Sequence, residues 1–142
     1  MCYRAPELLI GVKQYSFPID IWGIGCIFLL LLCPFLHKSL FNSNTNEQQL
    51  IVWMRKFGRN QFNSLSEKYL QSPLLSNEKI FLESESWMNF IQRITHERHE
   101  HGIHHEENLT VNALDLLDQL LKLDPENRIT VNNAICHPFF SD

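Results

Sequence analysis

The sequence predicts a mainly α fold of a single domain. Three observations lead there. Apolar residues recur at helical spacing in several stretches, capping residues stand just ahead of some of them, and few alternating apolar–polar runs occur. The chain of 142 residues is long enough to bury a real core. Its 44% hydrophobic and 20% charged content is ordinary for a soluble globular protein. A net charge of -4 offers no basic field to nucleic acid or anionic lipid, so neither is expected as a partner.

The first helix is expected over 18–33, with Pro18 at its first position and holding Phe17 extended. Its apolar run, Ile21 to Leu36, resembles a membrane segment, but only thirteen residues separate Asp20 from Pro34. A bilayer needs about 20. A short helix that is apolar all round reads instead as the buried centre of a globular fold. A second helix opens at Thr45, whose spacing to Gln48 suits a capping box. It carries Leu50, Ile51, Trp53, Met54 and Phe57, and Gly58 stands where a left-handed cap belongs.

Between Gly58 and Leu109 the pattern is weaker, with one amphipathic helix expected from Trp87, Phe90, Ile91 and Ile94. A third strong helix runs from Leu109 to Leu123. Leu114, Leu117, Leu120 and Leu121 share one face, Asp115, Asp118, Gln119 and Lys122 cover the other, and Asp124-Pro125 stops it. A short last helix follows Thr130 and reaches His137-Pro138. Cys2, Cys26, Cys33 and Cys136 show no C-x-x-C spacing, and three sit among apolar neighbours. Buried free thiols in a reducing, intracellular setting are expected ahead of disulfides. No apolar leader follows Met1. His96, His99, His101, His104 and His105 form a cluster in which His101 and His105 have helical i, i+4 spacing, and imidazoles suit zinc or copper. Gly102 and the surrounding glutamates favour a solvated loop instead, so no metal site is assigned.

Several motifs stand in register. Tyr3-Arg4-Ala5-Pro6-Glu7, then Asp20-Ile21-Trp22-Gly23-Ile24-Gly25, resemble the Ala-Pro-Glu and Asp-x-Trp-x-x-Gly motifs of eukaryotic protein kinases. Asp115-Leu116-Leu117 through Leu123-Asp124-Pro125-Glu126-Asn127-Arg128, and His137-Pro138-Phe139-Phe140, resemble the family's H helix, its arginine and its closing His-Pro-Phe. The resemblance implies a partial kinase C-lobe over 1–142. The end of the activation segment lies at 1–17, the F and G helices at 18–58, an insert at 59–109, and the H and I helices at 110–142. Tyr-Arg-Ala-Pro-Glu is similar to the cyclin-dependent and MAP-like kinases (the CMGC group). The tail is also similar to the cell-division-cycle kinase that fires replication origins.

The resemblance assigns roles as well. Glu7 and Arg128 correspond to the family's buried ion pair, and Asp20 and Trp22 to the anchor of the F helix. Cys2, Tyr3 and Arg4 fall on the loop that receives the substrate residue after the phospho-acceptor. For the full-length family the resemblance implies a serine/threonine kinase using ATP and Mg, protein substrates, a cell-cycle role, and a nuclear or cytoplasmic location. A regulatory subunit could engage 59–109 or the surface of the missing lobe. Phosphoryl transfer also needs a glycine-rich loop, a lysine–glutamate pair, a His-Arg-Asp loop and an Asp-Phe-Gly. Neither tripeptide occurs here, and Gly23-x-Gly25 lies inside a helix pattern. No catalytic residue is therefore assigned in this chain, which is expected to bind no cofactor and to be inactive alone, its catalytic half lying before Met1. The alternative is a noncatalytic, kinase-derived docking module.

Overall fold

The computed structural model describes residues 3–14, 16–72, 83–97 and 109–141. Among these, eight α-helices and no strand occur: α1 Pro6–Leu9, α2 Pro18–Leu32, α3 His37–Leu40, α4 Asn46–Phe57, α5 Arg59–Leu70, α6 Trp87–Glu97, α7 Val111–Leu120 and α8 Val131–Ile135. The mainly α, C-lobe-like architecture follows the sequence expectation.

α2 is the axis of the fold. Its inner face, Ile21, Trp22, Gly25, Cys26, Leu29 and Leu32, is buried against α7 and the 3-10 turn Pro125–Asn127. Gly25 makes the close approach possible: a Cβ there would lie 2.6 Å from Leu121 Cδ2. The outer face is equally apolar but uncovered, with Ile24, Ile27 and Leu31 at 52%, 55% and 71% exposure. Phe17 differs from expectation, having helical rather than extended backbone. Turn bonds from Ile19 N–H to the Ser16 carbonyl and from Asp20 N–H to the Phe17 carbonyl offset the steric preference set by Pro18.

An aromatic series ties α2 to the middle of the chain. Trp22 meets Trp53 edge-on at 5.1 Å, Trp53 meets Phe41 and Phe57, and Phe57 meets Phe62 and Trp87. The edge-to-face pairs among them add about 0.5–1.5 kcal/mol each beyond area burial. Thr45 caps α4 through the Gln48 N–H at 3.2 Å, but the Gln48 side chain accepts from Asn44 N–H, one residue before the cap. Gly58 has the expected positive φ, 78°, with an extended ψ of 155°, because it links α4 directly to α5.

α5 is a helix that the sequence reading did not name, and it buries Phe62, Leu65 and Ser66. α7 is shorter than expected. Thr110 caps it, and the chain leaves the helix at Leu121, which frees the carbonyls of Lys122 and Leu123 for Arg128. Cys26 and Cys33 are buried free thiols, while Cys136 is exposed at the end of the short α8, so the expectation of buried thiols does not extend to it. Cys2 lies outside the described residues. No single helix among the described residues is long and apolar enough to cross a membrane; α2 and the Pro34–Leu40 helix pass only as a pair bent by 117°.

Candidate functional site

The two charges that the sequence placed 121 residues apart meet in the core. Arg128 Nη1 donates to Glu7 Oε1 at 2.7 Å and Nη2 to Glu7 Oε2 at 2.6 Å, and both side chains are almost wholly shielded from water. The rest of the guanidinium is satisfied by carbonyls: Pro18 at 2.9 Å, Lys122 at 2.8 Å and Leu123 at 3.1 Å. The ring of Trp22 stacks at 5.1 Å. A planar fork that fills five acceptor positions is chemistry only arginine supplies. It joins the start of the chain, the start of α2 and the loop after α7 at one point.

The chain ahead of Glu7 runs over the surface. Ala5 and Pro6 are buried, while Tyr3 and Arg4 are exposed. The Tyr3 ring packs on Phe41 at 5.0 Å, and Arg4 Nη1 donates to Asn46 Oδ1 at 3.4 Å. The Tyr3–Arg4 loop therefore rests on α3 and the first turn of α4. Asp20 is exposed, its carboxylate facing outward from the first turn of α2, while Trp22 is fully buried.

His137 takes one defined tautomer. Its Nδ1 accepts the Phe139 N–H at 3.1 Å, so Nε2 carries the proton and faces Asp115 Oδ2 at 3.0 Å. Burial pushes the Cys33 thiol up to about 11 and raises that of Cys26 further, so neither serves as a nucleophile. Among the described residues, no group of three His, Cys, Asp or Glu is arranged to hold a metal. His96 is exposed, and the other four histidines of the cluster lie outside the described residues.

Among the described residues, the glycine pair does not form a phosphate cradle. Gly23 and Gly25 sit within α2, and the Gly25 face is filled by Leu121 rather than open to a phosphate. No step of phosphoryl transfer is assigned to these residues.

Two polar constellations escaped the sequence reading. Lys56 is buried and donates to the Glu85 carbonyl at 2.5 Å, with its ammonium over the rings of Trp87 and Phe57. Arg93 holds the Glu85 carboxylate in turn, so the start of α6 is clamped to α4. The second gathers Lys68 and Tyr69 of α5 around Asp124. Phe62, Leu65 and Tyr69 have i, i+3, i+7 spacing, a signal from which α5 could have been found.

Comparison with known proteins agrees with this geometry. The model of the protein kinase domain matches residues 1–140. Mitogen-activated protein kinase 11 of Arabidopsis thaliana is 32% identical over 98% of this chain and 33% of its own length. Cyclin-dependent kinase E-1 of the same plant is 34% identical over 97% of the chain and 28% of its own length. Probable cyclin-dependent kinase 10 of Dictyostelium discoideum is 36% identical, over 97% and 33%. The chain belongs to the protein kinase family. It spans about a third of the length of these relatives.

Proposed function

We propose that this chain is the substrate-facing and structural part of the C-lobe of a serine/threonine kinase that transfers the γ-phosphate of ATP to proteins in a cell-cycle role. The observation that carries the reading is the Glu7–Arg128 fork. It costs several kcal/mol to desolvate two charges, and here that investment fixes the exposed Tyr3–Arg4 loop relative to α2 and the loop after α7. In this reading the loop, with Cys2, receives the peptide beside the phospho-acceptor. Asp20 and the bare outer face of α2 await the catalytic half, which brings ATP, Mg and the transfer chemistry. Regulatory protein subunits would engage 59–109 or that same face, in the nucleus or cytoplasm.

The uncovered apolar face also suits a second reading, a noncatalytic module that docks another protein there. One experiment separates the two. The transcript is read upstream of Met1 for His-Arg-Asp and Asp-Phe-Gly, and its full protein product is assayed for phosphate transfer from ATP–Mg to peptides. Both motifs with transfer are expected. A product lacking both motifs and transferring nothing overturns the kinase reading in favour of the module. The present chain alone should show no saturable ATP binding by calorimetry.

A further inference from the structure

α5 ends against the turn that leads to Arg128, and its grip is polar. Tyr69 Oη donates to Asp124 Oδ1 at 2.9 Å. Lys68 Nζ reaches Asp124 Oδ2 at 2.6 Å and Glu126 Oε2 at 2.7 Å, with its ammonium over the Tyr69 ring. Asp124 is also the cap of the Pro125–Asn127 turn, accepting the Glu126 N–H at 3.1 Å. Burial pushes the Asp124 carboxyl up, and the bonds from Lys68, the Glu126 backbone and Tyr69 outweigh it, so the group stays ionised well below its ordinary range.

Open space lies on both sides of this turn. A cavity of about 380 Å³ is lined by Asn60, Ser64, Lys68, Asp124 and Asn127. Another of about 170 Å³ is lined by Glu7, Pro18, Tyr69, Pro125 and Glu126. The turn packs on α2 along one side and faces these open clefts elsewhere, so on its open sides the bonds to α5 hold it in place. Four residues after Asp124 comes Arg128, bound to Glu7, and three residues before Glu7 comes Arg4.

We propose that Tyr69 and Lys68 are positioning residues: through Asp124 they set the Arg128 turn, and through the Arg128–Glu7 fork they set the Tyr3–Arg4 loop. The substrate role of that loop rests on the kinase reading above; the mechanical link does not.

The link is tested by hydrogen exchange, read by mass spectrometry on the amides of residues 7–12 and 124–129. These include Val12 N–H bonded to the Glu7 carbonyl and Ile129 N–H bonded to the Gln119 carbonyl. Removing a hydrogen bond to a carboxylate in Tyr69→Phe should speed exchange in both segments about tenfold. Lys68→Ala should act the same way, Lys68→Arg should restore the slow rate, and Glu67→Gln, exposed on the same helix, should change nothing. Acceleration confined to α5, or to 124–129 with 7–12 unchanged, overturns the proposal. If Tyr69→Phe unfolds the protein, Lys68→Ala gives the same reading at an exposed side chain.

In the full-length kinase, Tyr69→Phe should raise KM for a peptide substrate about fivefold. The KM for ATP and kcat should stay unchanged; a fall in kcat with peptide KM unmoved counts against it. If the wild-type full-length protein transfers no phosphate, the kinase reading has failed, and the exchange rates alone decide whether the link exists.

Discussion

Replacing Arg128 with alanine removes the one group that joins three segments. The Glu7 carboxylate loses both of its donors, at 2.7 and 2.6 Å, inside a site closed to water. Leaving such a charge buried and uncompensated costs about 3–5 kcal/mol. The carbonyls of Pro18, Lys122 and Leu123 lose a donor as well. Each orphaned group costs about 1–3 kcal/mol when it stays dry, but water entering the vacated guanidinium volume recovers much of this. The ion-pair term therefore dominates, and the expected loss is about 3–5 kcal/mol of unfolding free energy.

Arg128→Lys keeps the charge but cannot hold two carboxylate oxygens and three carbonyls together, so about 2 kcal/mol should still be lost. The double change Glu7→Gln with Arg128→Met leaves neither charge behind and should recover most of the stability. The assay is urea unfolding followed by tryptophan emission, in which Trp22, 5.1 Å from the guanidinium, reports locally. A loss under about 1 kcal/mol for Arg128→Ala, or a lysine variant as stable as wild type, would refute the reasoning.

Other outcomes follow from particular contacts. Burial lowers the Lys56 ammonium from 10.5 to about 8, against the pull of Asp118 and Glu85. Between those values the unfolded chain holds more protons than the folded one, so stability should rise with pH from 8 to 10.5. At pH 7 the buried charge costs about 3 kcal/mol. Lys56→Met should remove that pH slope in denaturant titrations, and a slope equal to wild type would show the ammonium is not the source. Gly25→Ala should destabilise by about 1–2 kcal/mol despite its better helix propensity, because the new methyl overpacks against buried Leu121; a gain in melting temperature would contradict the close approach. Ile27→Glu with Leu31→Lys should cost under about 0.5 kcal/mol in this chain and reduce its binding of apolar dyes, since both residues are exposed. Where the catalytic half proposed above covers that face, the same pair in the longer protein should cost about 1.5–3 kcal/mol per residue through lost burial. Equal tolerance in both would mean that nothing covers the outer face of α2.

Local chemistry was legible wherever it was dense. The apolar run after Pro18 placed α2, Thr45 and Gly58 bounded α4, and the alternation of leucine with acid and amide placed α7. Glu7 and Arg128 could be paired only because the motifs around each resemble those of one family; nothing in spacing alone joins residues 121 positions apart. The misplaced details share a cause. Phe17 is helical and Gln48 bonds Asn44 rather than the cap because an alternative turn bond a few residues away competes with the expected one, and α7 stops at Leu120 where Arg128 takes the Lys122 and Leu123 carbonyls.

The sequence by itself determined that this chain is helical, that α2 is apolar on every face, and that the family's catalytic motifs are not among its residues. Only the tertiary structure decided which of those faces is covered. Gly25 brings α7 onto one side of α2, and the opposite side stays bare. Tyr69 lies on the apolar stripe of α5, but nothing in the sequence marks its hydroxyl, Lys56 or Lys68 as structural. They became so when folding brought the Glu85 carbonyl and the Asp124 carboxylate within reach, because a polar group entering a half-buried site must find its partner there.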